Sequence, residues 1–142
     1  MKKNKLLTIM LIILVTLTLL GVVAVILITQ LNKDSNGEAT PIEDVVAASV
    51  IIPEITTNLA DGGYAKVSLQ IETDSEKAAE ELTLRTFQVN DIVIQELSEM
   101  KEEDLQGKQG KVLFGKAIKA QVNELMNEGE VVQVYLTSFV IQ

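Results

Sequence analysis

Glu102, Glu103 and Asp104 form the densest group of carboxylates in a chain that has no His and no Cys. Without imidazole or thiol there is no Ser-His or Cys-His nucleophile, no usual zinc site and no disulfide. Two catalytic options remain, a Ser/Lys pair or paired acids. Consecutive helical residues do not face one another, so these three acids do not converge on a substrate. Calcium needs more oxygen ligands at set spacing around a turn glycine, and that spacing is missing. Glu102–Asp104 therefore reads as a solvated turn. Ser68 alternates outward beside Lys66 and Gln70, as on an ordinary strand face. Gly107-Lys108-Gln109-Gly110 reads as a loop and lacks the spacing of a phosphate-binding loop. Nothing here positions a catalyst. The expectation is a non-enzymatic protein without metal or cofactor.

What must position any interaction surface is first of all a membrane anchor. Leu6–Leu31 is a run of 26 residues without a charge, preceded by Lys2, Lys3 and Lys5. Roughly 20 apolar helical residues cross a bilayer core of about 30 Å. Leu6, Leu11, Leu14, Leu19, Val25 and Leu31 are representative anchor positions. The lysines keep the N-terminus (1–5) in the cytoplasm and send the rest of the chain to the outer side. A cleaved signal is the rival reading, but its apolar stretch is usually about 7–15 residues and ends at a small-x-small site. This run is longer, and Ile28–Lys33 offers no such site. Thr8, Thr16 and Thr18 are expected to bond back to helical carbonyls, which removes their cost in lipid.

Charge divides sharply at the anchor's end. Residues 1–33 carry four lysines and no acid; residues 34–142 carry 8 Lys/Arg against 20 Asp/Glu, a net of −12. A domain this acidic repels nucleic-acid phosphates and anionic headgroups. About 109 residues beyond the anchor suffice for one compact domain plus a linker.

Residues 32–54 read as that linker. Lys33–Glu38 is a polar exit, and Thr40-Pro41-Ile42-Glu43 has the residues of a capping box opening a short helix over 41–49. Ile42, Val45, Val46 and Val50 are the linker's candidate partner-binding residues. The domain then spans 55–142, in an α+β class: an N-terminal hairpin, about three helices and a long C-terminal strand. Thr56–Leu59 reads as a short strand, Asp61-Gly62-Gly63 as a turn and Tyr64–Thr73 as a half-buried strand that alternates cleanly. A second capping box at Thr73–Glu76 opens a helix to about Thr86, with a bend at Phe87-Gln88. Val89, Ile92, Val93, Leu97 and Met100 form a helical core stripe. A third helix buries Phe114, Ala117, Ile118, Val122 and Leu125 and ends at Asn127-Glu128-Gly129, with Gly129 just past its end. Val131–Ile141 is apolar at both parities, so it is expected to pair centrally or to be masked by a neighbour.

The order of these pieces carries a resemblance. After the anchor come Asn58-Leu59-Ala60-Asp61, the strand Tyr64–Glu72, Asp74-x-Glu76-x-Ala78-x-x-Glu81-Leu82, Asp91-Ile92-Val93-Ile94-x-x-Leu97-Ser98 and Glu103-Asp104-Leu105. The ending Val134-Tyr135-x-Thr137-x-Phe139-x-x-Gln142 is the most specific part. The chain resembles the FliL family of flagellar basal-body-associated proteins, in its Gram-positive form. It departs from many relatives at Phe87, where they carry Pro, and at Asn90, where they carry Arg. The resemblance implies an extracytoplasmic domain similar to the stomatin/prohibitin (SPFH) type. It also implies a single-pass cell-membrane protein that assembles into rings, associates with the stator proteins MotA and MotB, and supports torque and swarming. Under it, Val89, Ile92, Val93, Val134, Tyr135 and Phe139 are the candidate subunit-contact residues. A membrane-anchored scaffold for another envelope complex is the alternative.

Overall fold

Helix α1, Lys2–Asn32, is the first element of the computed structural model, which describes residues 2–32 and 39–142. The polar exit read at Lys33–Glu38 lies outside the described residues. Within α1, Asn4–Ile28 has a mean hydropathy of 3.2 and is long and apolar enough to cross a membrane. Leu6, Leu11, Leu14, Leu19 and Val25 are all exposed, as suits side chains whose solvent is lipid. The threonines behave as the sequence indicates. Thr8 Oγ1 donates to the Asn4 carbonyl at 2.7 Å, Thr16 reaches Ile12 and Ile13, and Thr18 reaches Leu14 and Val15. Leu31 belongs to α1 as well.

A second compact unit begins at Thr40. It opens with α2, Ile42–Ala47, and runs directly into strand β1, Ser49–Asn58. Two expectations change here. Pro41 is extended and itself occupies the cap position, so the helix starts one residue later than the capping box placed it. The segment 49–54, read as linker, is the first half of a ten-residue strand. Pro53 suggested an end because it cannot donate to a ladder. Strand β1 tolerates it because β1 lies at the sheet edge, and Pro53 and Glu54 fall in the register shift between Ile52 and Ile55.

Strand β2, Tyr64–Thr73, is the centre of a three-stranded antiparallel sheet with order β1-β2-β3. The turn between β1 and β2 uses Gly62 at φ 90°, a conformation open to glycine at no steric cost. Strand β3, Val131–Ile141, is the other edge rather than a central strand. Its mixed parity has a local cause. Leu69 faces Leu136 while Ser68 faces Ser138, so Thr137 is extra and flips the alternation. Val134, Leu136, Phe139 and Ile141 thus all turn toward the core side, opposite Ile71, Leu69, Val67 and Ala65.

Four helices supply the second layer: α3 (Glu76–Leu84), α4 (Thr86–Glu99), α5 (Glu102–Leu105) and α6 (Gly107–Leu125). The cap of α3 is Ser75, whose Oγ accepts from the Ala78 amide at 3.2 Å, two residues after the Thr73 expected in that role. Thr73 is buried and serves as a seam instead. Its hydroxyl lies 2.7 Å from the Ala48 carbonyl, and its amide donates to the same oxygen at 2.8 Å. The bend falls at Arg85, before the exposed Phe87, so no proline is needed there. Gly107–Gly110 is the first turn of α6 rather than a loop. Met126, in extended conformation, ends α6, and Gly129 (φ 68°) belongs to the following turn.

The core lies between the layers. Val67, Leu69 and Ile71 of β2 meet Leu82, Val89, Val93, Leu97, Phe114 and Ile118, all with no exposed surface. Full burial of such side chains is worth roughly 1.5–3 kcal/mol each. Gly110 lets α6 approach α5 closely, since a Cβ there would run into the Asp104 carbonyl. Gly110→Ala should therefore lower stability by about 1–3 kcal/mol, although alanine normally improves a helix interior. Urea unfolding followed by circular dichroism measures this. Equal or greater stability would mean that the α5–α6 junction yields.

Candidate interaction surface

Of the three clustered carboxylates Glu102, Glu103 and Asp104, one serves as a cap. Asp104 Oδ2 accepts from the Lys101 amide at 2.9 Å, closing the first turn of α5. Asp61 Oδ2 accepts from the Glu102 amide at 2.9 Å, which ties the β1–β2 turn to α5. That amide, before any other contact, holds the Asp61 carboxyl below its ordinary range. No cluster of three or more metal-ligating side chains occurs among the described residues.

Glu81 is the most heavily used acid among the described residues. It accepts from Arg85 Nε at 2.8 Å, from the Asn127 amide and side chain at 3.1 Å, and from the Glu128 amide at 2.7 Å. The Arg85 guanidinium, then the Glu128 and Asn127 amides, lower its pKa to about 2. One carboxylate thus joins α3 to the turn between α6 and β3. Sequence reading quoted Glu81 only within the family pattern, because the partners that give it this role lie more than forty residues away.

The residues expected to meet partners fall into two groups. On α2, Ile42 (66%) and Val46 (58%) are exposed, Val45 is half-buried, and Val50 of β1 is buried. Val89, Val93 and Val134 have their side chains buried in the domain's own core. Ile92 and Phe139 are partly buried against that core. Tyr135 is exposed on the open face of the sheet, where its hydroxyl donates to Glu72 Oε2 at 2.7 Å and its pKa is raised by that bond. Ile51 and Val140 are exposed on the same face.

A further surface escaped the sequence reading. Lys108, Lys111, Val112, Gly115, Lys116 and Lys119 follow one another at helical spacing along α6 and line a groove of about 480 Å³. Its other wall is β3 at Gln133, Val134 and Leu136. Four of the eight basic residues beyond position 33 thus line one groove. The spacing was visible in the sequence. Treating 107–110 as a loop cut the stripe and concealed it.

Residues 49–142 match the family model described as flagellar basal body-associated protein FliL. The chain is also similar to the flagellar protein FliL of Bacillus subtilis (strain 168), with 41% identity over 112 residues, covering 78% of this chain and 80% of that one. It is 27% identical over 93 residues to the flagellar protein FliL of Aquifex aeolicus (strain VF5), covering 63% of this chain and 58% of that protein.

Because the Glu81 pKa is depressed, its stabilising contribution is fully present above about 4.5 and is lost as pH falls toward about 2. Glu81→Gln should therefore unfold at a lower temperature than the unsubstituted chain at pH 7, and the gap should close between pH 4.5 and 2. Thermal melts across that range provide the measurement; a gap independent of pH would remove the carboxylate from this role.

Proposed function

Since the chain belongs to the FliL family of flagellar basal-body-associated proteins, we propose that it is a non-enzymatic accessory of the flagellar motor that assembles beside stator units and supports torque and swarming. The helix α1 anchors it in the cell membrane with the N-terminus in the cytoplasm, on the strength of Lys2, Lys3 and Lys5. The acidic domain then stands on the outer side. The stator proteins MotA and MotB and further copies of this chain, arranged as a ring, are the partners that the family resemblance implies. The kinship to stomatin/prohibitin domains belongs to the same proposal; helices stacked on one face of a small antiparallel sheet are compatible with it.

The single observation that carries this reading is the match of residues 49–142 to the family model described as flagellar basal body-associated protein FliL. Ile42 and Val46, apolar and exposed on α2, are the residues we assign to contact with a membrane-embedded neighbour. Contacts between copies would use the open sheet face around Tyr135, which the core residues Val89, Val93 and Val134 cannot reach. Binding would favour the active stator only by preferring that state over the inactive one.

The absence of cysteine makes a clean test possible. A Val46→Cys chain, armed in cells with a photoactivatable maleimide, should crosslink to MotB. Labelling from outside the cell should reach a cysteine placed at Gln142. Capture of other envelope proteins with no motor component would support a scaffold elsewhere in the envelope and overturn the stator assignment. Protection of the Gln142 position from external reagent would overturn the topology.

A further inference from the structure

We propose that the groove between α6 and the free edge of β3 binds an extended acidic segment of a partner polypeptide, which adds to the sheet as a fourth strand. The inference concerns a surface away from α2 and holds whichever envelope complex the partner belongs to.

The first argument is the strand edge. Tyr64 and Gln142 exchange both backbone hydrogen bonds, at 2.8 and 2.9 Å. In an antiparallel ladder such pairs alternate with pairs whose amides and carbonyls point outward. Ile141 and Phe139 are of the outward kind. After the extra residue at Thr137, Leu136 and Val134 share their face and resume the same pattern. These residues therefore offer unpaired backbone groups to the open side. The Val134 carbonyl has only a 3.5 Å approach from the Gln133 side-chain Nε2 and looks toward Gly115, where a Cβ would sit 3.8 Å away. The start of the strand is closed by contrast. Lys119 Nζ donates to the Val132 carbonyl at 2.8 Å, and the Asn123 side chain accepts from the Val131 amide at 2.6 Å. A visiting strand is thus admitted from Val134 onward.

The second argument is charge. Lys108, Lys111, Lys116 and Lys119 form no salt bridge among the described residues. Lys111 instead lies 5.3 Å over the Phe139 ring, at the edge a new strand would take. In a domain of net charge −12 beyond position 33, four lysines without an ion pair along one groove select for an anion and against a basic peptide. The apolar floor formed by Val112, Gly115 and Leu136 accepts the alternate side chains of that strand. A strand pairing through its backbone, apolar on one face and acidic on the other, satisfies all three features together.

The test uses the full chain in neutral detergent and a fluorescein-labelled peptide of about eight residues, alternating Glu with Val. Fluorescence anisotropy should show saturable binding, weaker by about tenfold or more for the Lys/Val counterpart. K111E/K116E should abolish it. G115L, which fills the groove without altering charge and which favours the helix, should weaken it comparably. Methylating the peptide's alternate amides on one edge should abolish binding, while methylation on the other edge should not. Equal binding of the lysine peptide, retention in both variants, or indifference to methylation would each overturn the proposal. So would crosslinks showing the groove already filled by another copy of the chain. Circular dichroism of both variants checks that they remain folded; should G115L unfold, Val112→Glu at the groove's exposed wall replaces it and should weaken the acidic peptide alone.

Discussion

The inward face of β2 is the constraint on which the domain depends. Ala65, Val67, Leu69 and Ile71 have no solvent exposure, and the residues paired beside them on β1 and β3 turn toward the same side. A sheet with only one buried face needs its register fixed, because a slip of one residue would present the polar set to the helices. Both neighbours of β2 carry an extra residue opposite the stretch Val67–Leu69. Each bulge restores the inward direction of apolar residues that would otherwise fall out of phase: Ile55 on one side, Phe139 on the other. The central strand is regular so that its two partners need not be.

Polar groups finish what the apolar layer begins. Thr73 joins the end of β2 to Ala48 at the start of β1. Asp61 joins the first turn to α5, and Glu81 joins α3 to the turn before β3. Asp61 and Glu81 reach backbone amides left over by a helix end or a turn, groups that otherwise depend on water. Among the acids these two are structural, as is Asp104 at the start of α5. That distinction lies in where the chain folds back and not in the local sequence.

Legibility followed the range of the forces involved. Regular alternation in Tyr64–Thr73 and the 3-4 spacing of Val89–Leu97 arise from a single buried face, so they could be read directly. The anchor was equally plain, because bilayer thickness acts on length and polarity alone. Strand β1 was half missed, since Pro53 breaks any ladder that needs its amide and only an edge position excuses it. The parity of β3 was ambiguous because the bulge at Thr137 is decided by pairing with β2. Gly107 and Gly110 looked like a loop, yet Gly110 is favoured by its close contact with α5 and Gly107 by its φ of 72°. The lysine stripe was lost with that misreading. Of the contact residues chosen from sequence, Val89, Val93 and Val134 are core, because periodicity reports which face is apolar and not what covers it.

The two borders of the sheet are chemically unequal. Along β1, Pro53 lacks an amide hydrogen and Glu54 brings a charge, both of which discourage a newcomer. Along β3 the backbone is bare over its last residues. With one border guarded, edge-to-edge pairing between copies of this domain is restricted to β3 against β3 and halts at a pair, so the sheet has no head-to-tail route into a fibre.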